Sequence, residues 1–167
     1  MSEPNVIHES NGPIPLTQKG KEKLQAELDF LMLEKRPEIA ERIRESQQHG
    51  EFSEDNNELD EVKFEQAIVE SRIGELRAVF SDYFVIDDES VPTDYVGIGS
   101  LVTVSDLEFD DTFSMRIVSS IEADPENYMV STESPVGRAL LDQKKGDDVT
   151  FETPSGRKKY KILDIAK

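Results

Sequence analysis

Six carboxylates fall within eleven residues of this chain: Glu51, Glu54, Asp55, Glu58, Asp60 and Glu61. Mg2+ is a hard cation that takes oxygen ligands and gives up its waters reluctantly. One or two carboxylates are therefore a poor isolated site. They are a useful half-site if another molecule supplies the remaining ligands. A structural reading competes with this one. Acids near a helix N-terminus interact favourably with its dipole, and Ser53 or Asp55 is a candidate N-cap.

Other reactive constellations are weak. The chain has no cysteine, which excludes disulfides, thiolate zinc sites and a cysteine nucleophile. His8 and His49 are the only histidines, and local spacing gives neither a serine or carboxylate partner for a triad. Gly97-Ile98-Gly99 is too short for a phosphate-binding loop. Lys144-Lys145 and Arg157-Lys158-Lys159 read as turn and edge-strand charges.

The elements around the acids give them a position. Residues 1–15 hold three prolines and few apolar side chains, and read as a flexible arm. Thr17 is a candidate N-cap for a first helix. Leu24, Leu28, Leu31, Ile39 and Ile43 form its apolar stripe, Pro37 should bend or locally break it, and Gly50 can end it. Beyond the acids, Leu59, Val62, Gln66, Val69, Ile73, Leu76 and Phe80 alternate spacings of three and four. That is the seam of a coiled coil. Two such helices joined by a short loop should fold back as an antiparallel hairpin about 40–45 Å long at the standard rise. The acids then concentrate at its tip, whereas a merely solvated face would spread them along the helices.

After Phe80 the period changes. Ser100–Val104, Thr112–Val118, Tyr128–Ser131, Val149–Thr153 and Lys159–Ile165 are short, β-branched and separated by turn signals such as Pro154-Ser155-Gly156. They predict a small, mostly antiparallel β domain, with one short helix at Pro135–Leu141. The expected division is an arm at 1–15, a hairpin at 16–82 and a β domain at 83–167, an α+β fold.

A formal net charge of −17 disfavours a general nucleic-acid groove, because a polyanion would be repelled. No apolar run is long enough to span a membrane, and MSEPNVIHESNGP lacks the basic and apolar regions of a signal peptide. The expected location is the cytoplasm.

Three stretches resemble one known family. IPLTQKGKEKLQAELDFLMLEKRPEIAERI is similar to the opening helix of the bacterial GreA/GreB transcript cleavage factors. HGEFSEDNNEL resembles the family's tip pattern, G-D-L-S-E-N-A-E-Y. SPVGRALLDQKKGDDVTFETPSGRKKYKILDI is close to its C-terminal signature. The resemblance implies a coiled-coil hairpin joined to an FKBP-like domain. It also implies a transcription elongation factor that is not itself an enzyme. Such a factor stimulates RNA polymerase to cleave the 3′ end of a backtracked transcript. The polymerase's secondary channel would admit the hairpin, and the nascent RNA 3′ end would lie near its tip. Contact with DNA is implied by analogy alone.

By the same resemblance the tip acids Glu51 and either Glu54 or Asp55 would act at the catalytic centre. They would hold Mg2+ jointly with the polymerase. Counting forward from Gly50 selects Glu54, and counting back from Asn56 selects Asp55. Glu51 stands where the pattern usually has Asp, and Asp60-Glu61 where it has His-Ala. Glu133, Ser134 and Pro135 resemble the polymerase-contacting turn. Arg36, Arg42 and Arg44 are candidates for contact with RNA, or for pairing with acids of the second helix. The chain is expected to be a monomer, since a hairpin satisfies its own seam. The altered tip leaves two alternatives open: a channel-blocking inhibitor without cleavage activity, and a coiled-coil interaction module.

Overall fold

A computed structural model describes residues 12–50 and 57–167. Thr17 opens the first helix as expected, its hydroxyl accepting from the Gly20 N–H at 3.0 Å. Helix α1 spans Gln18–Phe30, a π-helical turn follows at Leu31–Lys35, and α2 runs over Arg36–Gly50. Helix α3 spans Asn57–Ser81 and returns along the first two.

Pro37 does not break the helix. The strain is taken up one turn earlier, where the Arg36 N–H reaches back five residues to the Leu31 carbonyl. A wider turn relieves the clash that a proline ring makes with the carbonyl four residues before it. It also corrects the phase of the seam. Leu31, Lys35, Ile39 and Ile43 are spaced by fours, which overshoots three α-turns by about 120°. One π-turn absorbs about one residue and returns Ile39 to the face that carries Leu24 and Leu28.

The seam holds Leu24, Leu28, Ile39, Val62, Val69, Ile73, Leu76 and Val79, all buried. It departs from the expected heptad at two places. Val79 is buried where Phe80 only packs alongside, and Gln66 is exposed. At that level the half-buried Glu65 faces the first helix instead, bonded to Lys35 at 2.8 Å and Arg42 at 2.7 Å. Arg36 grips Glu70 through two bonds of 2.8 Å, and Arg72 grips Glu27 at 2.7 and 3.0 Å. These pairs fix the antiparallel register along the hairpin.

The hairpin base is closed by two short parallel strands. Strand β1, Ile14–Leu16, pairs with β2, Tyr83–Val85. The sequence placed Ile14 and Pro15 in a flexible arm and Tyr83 in the β domain. Hydrogen bonding instead ties both to the hairpin, with the Ile14 N–H donating to Asp82 and the Ile86 N–H to Leu16. Composition hid this, because a three-residue strand leaves no alternation to read.

The C-terminal unit is a five-stranded sheet in the order β5-β4-β3-β7-β6. Its strands are β3 Leu101–Asp106, β4 Thr112–Val118, β5 Met129–Ser131, β6 Asp148–Thr153 and β7 Gly156–Ala166, with helix α4 at Pro135–Leu140. The β4–β5 pair alone is parallel. The connection between them is carried by two 3-10 turns, Ser120–Glu122 and Pro125–Asn127. Val102, Val104, Ile117, Leu140 and Ile162 form a fully buried core.

Two outcomes follow for the hairpin. Ile73→Ala should destabilise it by about 2–5 kcal/mol, because Ile73 is 1% exposed at mid-seam. Thermal melting followed at the helical circular-dichroism band checks this. Acid should also weaken it. Bonds from Lys35 and Arg42 hold the Glu65 pKa below its ordinary value, and a bond from Arg36 does the same for Glu70. The resulting stability is complete above the unfolded carboxyl value of about 4.3 and is lost as pH falls through the lower folded values. The Glu65→Gln, Glu70→Gln double variant should therefore show a shallower drop in melting temperature below about pH 4.

Candidate functional site: the acidic hairpin end and the docking turn

Helix α2 is described to Gly50 and α3 from Asn57, at the end of the hairpin remote from the β1–β2 base. Glu51, Glu54 and Asp55 lie between them, outside the described residues. The one-residue choice between Glu54 and Asp55 therefore stays open. The remaining acids of the cluster are helical. Glu58 and Asp60 stand in the first turn of α3, and Glu61 follows. Carboxylates there interact favourably with the helix dipole, so the structural reading accounts for Glu58 and Asp60. Among the described residues, no group of three or more His, Asp or Glu side chains is placed to hold a metal ion.

The candidate RNA-contacting arginines have other engagements. Arg36 and Arg42 are committed across the seam to Glu70 and Glu65. These bonds raise both guanidinium pKa values above the ordinary one. Arg44 pairs along its own helix with Glu41 and keeps 63% of its side chain exposed.

The turn Glu133-Ser134-Pro135 sits between β5 and α4. Ser134 caps α4, accepting from the Gly137 N–H at 3.1 Å and donating to the Ser131 carbonyl at 2.7 Å. Pro135 occupies the first turn of the helix, where its missing N–H costs nothing. The Glu133 carboxylate accepts from the Ser120 hydroxyl at 2.6 Å, which ties the turn to the Ser120–Glu122 segment. Gly137 allows the close approach of α4 to β5: a Cβ there would lie 1.9 Å from the Ser131 carbonyl oxygen.

The contact between the two units was missed in the sequence. Ile121 packs against the hairpin core. The neighbouring Glu122, only 7% exposed, accepts from the Thr17 N–H at 2.9 Å and from the Thr17 hydroxyl at 2.5 Å. The partners are 105 residues apart, so no local signal marks the pair. A cleft of about 800 Å3 opens beside this contact, lined in part by Arg72, Glu75, Ser119, Ser120 and Glu133.

A helical hairpin carrying an acidic segment at its far end, joined at its base to a small β unit, matches two family models. The transcription elongation factor N-terminal model matches residues 14–85, and the GreA/GreB C-terminal model matches 91–167. Their limits agree with the pairing of β1 and β2 at the hairpin base. The chain is 48% identical over 158 residues to transcription elongation factor GreA of Acetivibrio thermocellus, covering 95% of this chain and 99% of that one. It is 49% identical over 154 residues to GreA of Alkaliphilus oremlandii, covering 92% and 96%. Among solved structures, GreA factor homolog 1 of Thermus thermophilus is 27% identical, covering 93% of this chain and 99% of that one, with a TM-score of 0.44.

The chain belongs to the GreA/GreB family of transcription elongation factors. No helix among the described residues is long and apolar enough to cross a membrane.

Gly137→Ala should push α4 off β5 and destabilise the C-terminal unit by about 1–3 kcal/mol, as overpacking does. The sheet's melting transition by calorimetry checks this. Unchanged stability would mean that α4 tolerates the displacement.

Proposed function

We propose that this chain carries its acidic hairpin end through the secondary channel of RNA polymerase while its C-terminal unit docks at the rim through Glu133, Ser134 and Pro135. The factor binds RNA polymerase and stimulates transcript cleavage, and the polymerase remains the catalyst. One observation carries the finer reading. The strands at its base pair residues 14–16 with 83–85, and the segment that carries Glu51, Glu54 and Asp55 connects α2 to α3 remote from that base, which supports the reading of those acids as its working end.

Carboxylate oxygens are the donors that Mg2+ prefers. Glu51, with Glu54 or Asp55, would hold the ion jointly with the polymerase. Such an ion, when bound, lowers the pKa of a bound water and stabilises charge on the phosphodiester. The part left to this chain is to deliver the carboxylates and orient them at the nascent RNA 3′ end. The paired state of Arg36 and Arg42 makes Arg44 the most available of the three arginines for RNA. The hairpin buries its own seam, so the factor works as a monomer, alongside the polymerase in the cytoplasm.

The test uses a backtracked elongation complex with end-labelled RNA and Mg2+. The factor should release short 3′ fragments. Glu51→Ala combined with Glu54→Ala should return cleavage to the rate of polymerase alone while leaving polymerase binding intact. If cleavage survives there but is lost in Glu51→Ala with Asp55→Ala, the second acid is Asp55. Slower nucleotide addition without fragments would identify a channel-blocking inhibitor instead. No effect on either reaction would leave a coiled-coil interaction module.

A further inference from the structure

We infer that Glu122 is a positioning residue that sets the aim of the hairpin relative to the docking turn. This rests on the reading of the hairpin end and the Glu133–Pro135 turn as the two working parts. Glu122 belongs to the C-terminal unit, yet its carboxylate is bonded at the N-terminal end of α1. It meets the Thr17 N–H at 2.9 Å and the Thr17 hydroxyl at 2.5 Å. A helix start presents N–H groups without intrahelical partners and a partial positive charge, so a buried carboxylate is well placed there. Charge-assisted bonds of this kind are shorter and stronger than neutral ones.

The hairpin is shaped to receive that carboxylate. A Cβ on Gly20 would lie 1.6 Å from the Glu122 Oε1 atom and 2.2 Å from its carboxyl carbon. Glycine is a poor helix former. Here it leaves the space in the first turn of α1 that the carboxylate fills. Nearby, Lys23 faces Asp124 at 3.8 Å, and Ile121 packs on the hairpin core.

The same short turn reaches the docking surface. Ser120, two residues before Glu122, donates to Glu133 at 2.6 Å, and its hydroxyl lies 2.8 Å from that of Ser131. One 3-10 turn thus bonds to the helix that carries the tip and to the turn proposed to dock. Its geometry converts a fixed docking position into a fixed direction of the hairpin. Because the hairpin is long, a small rotation at its base becomes a displacement of several ångströms at its end, and misplacement by about 1 Å can cost up to about a hundredfold in rate.

The test exploits the lack of native cysteine. Spin labels at Glu45→Cys and Lys145→Cys, both exposed positions, report the distance between the hairpin and the C-terminal unit. The parent should give one narrow distance population. Glu122→Ala should broaden or shift it. In the cleavage assay Glu122→Ala should lower the rate at saturating factor by about tenfold to a hundredfold, with little change in the concentration giving half the effect. Glu122→Gln, which keeps an acceptor for the Thr17 N–H, should recover part of that loss.

Gly20→Ala is the independent arm. It favours helix formation locally but evicts the carboxylate, so it should reproduce the Glu122→Ala distances, and adding it to Glu122→Ala should change nothing further. It also carries the test if Glu122→Ala alone disturbs folding. Parent-like distances in both single variants would overturn the inference, as would a loss confined to polymerase affinity. A parent factor that stimulates no cleavage would sink the proposed function instead, while the distance measurements still decide the role of Glu122.

Discussion

The hairpin has one thin line of apolar contact with which to hold two long helices together, and everything else about the molecule is arranged around that line. Leu24, Leu28, Ile39, Val62, Val69, Ile73 and Leu76 are buried in it, while the outward faces are heavily charged. A narrow seam tolerates little error in phase, since one residue out of step turns an apolar side chain toward water. The π-turn at Leu31–Lys35 is the local answer to that constraint, and the Glu65–Lys35–Arg42 cluster occupies the level where the seam offers no apolar side chain. Exposed ion pairs contribute little individually. Here they specify register, which the apolar contacts leave under-determined.

The second constraint is the join between the units. A long lever attached to a small β domain is useful only if its direction is defined. The structure defines it by a buried carboxylate, a glycine that makes room for it, and an isoleucine packed alongside. The Ser120–Glu122 turn exists because β4 and β5 run parallel and need a connection that leaves the sheet. The parallel pair is thus the topological reason that a segment is available to touch the hairpin.

Much of this was legible in the residues. Helical periodicity placed both long helices, and the Thr17 cap lay where the pattern put it. Alternation and turn residues placed all five strands of the sheet to within three residues at either end, and α4 to within one. What was not legible has a common cause. Pairing of β1 with β2, the bond from Thr17 to Glu122 and the burial of Val79 in place of Phe80 all depend on residues distant in sequence. A three-residue strand or a lone glutamate carries no periodic signal. Pro37 was read as a bend or local break because sequence shows the missing N–H but not the wider turn that accommodates it. At the candidate site, the concentration of acids was visible at once. Glu58 and Asp60 resolve as first-turn residues of α3, while Glu51, Glu54 and Asp55 rest on the sequence and the family pattern.

The β1–β2 pairing has a mechanical consequence. A two-helix rod pressed at its free end fails most easily by one helix sliding along the other, since a narrow apolar seam resists shear weakly. In this chain the strand entering the first helix and the strand leaving the last are paired side by side, Ile14 opposite Tyr83 and Leu16 opposite Val85, with the Ile14 N–H donating to the Asp82 carbonyl and the Ile86 N–H to that of Leu16. Sliding would have to break that ladder. Axial load applied at the acidic end is therefore carried by both helices together into the base, and the hairpin behaves as a strut.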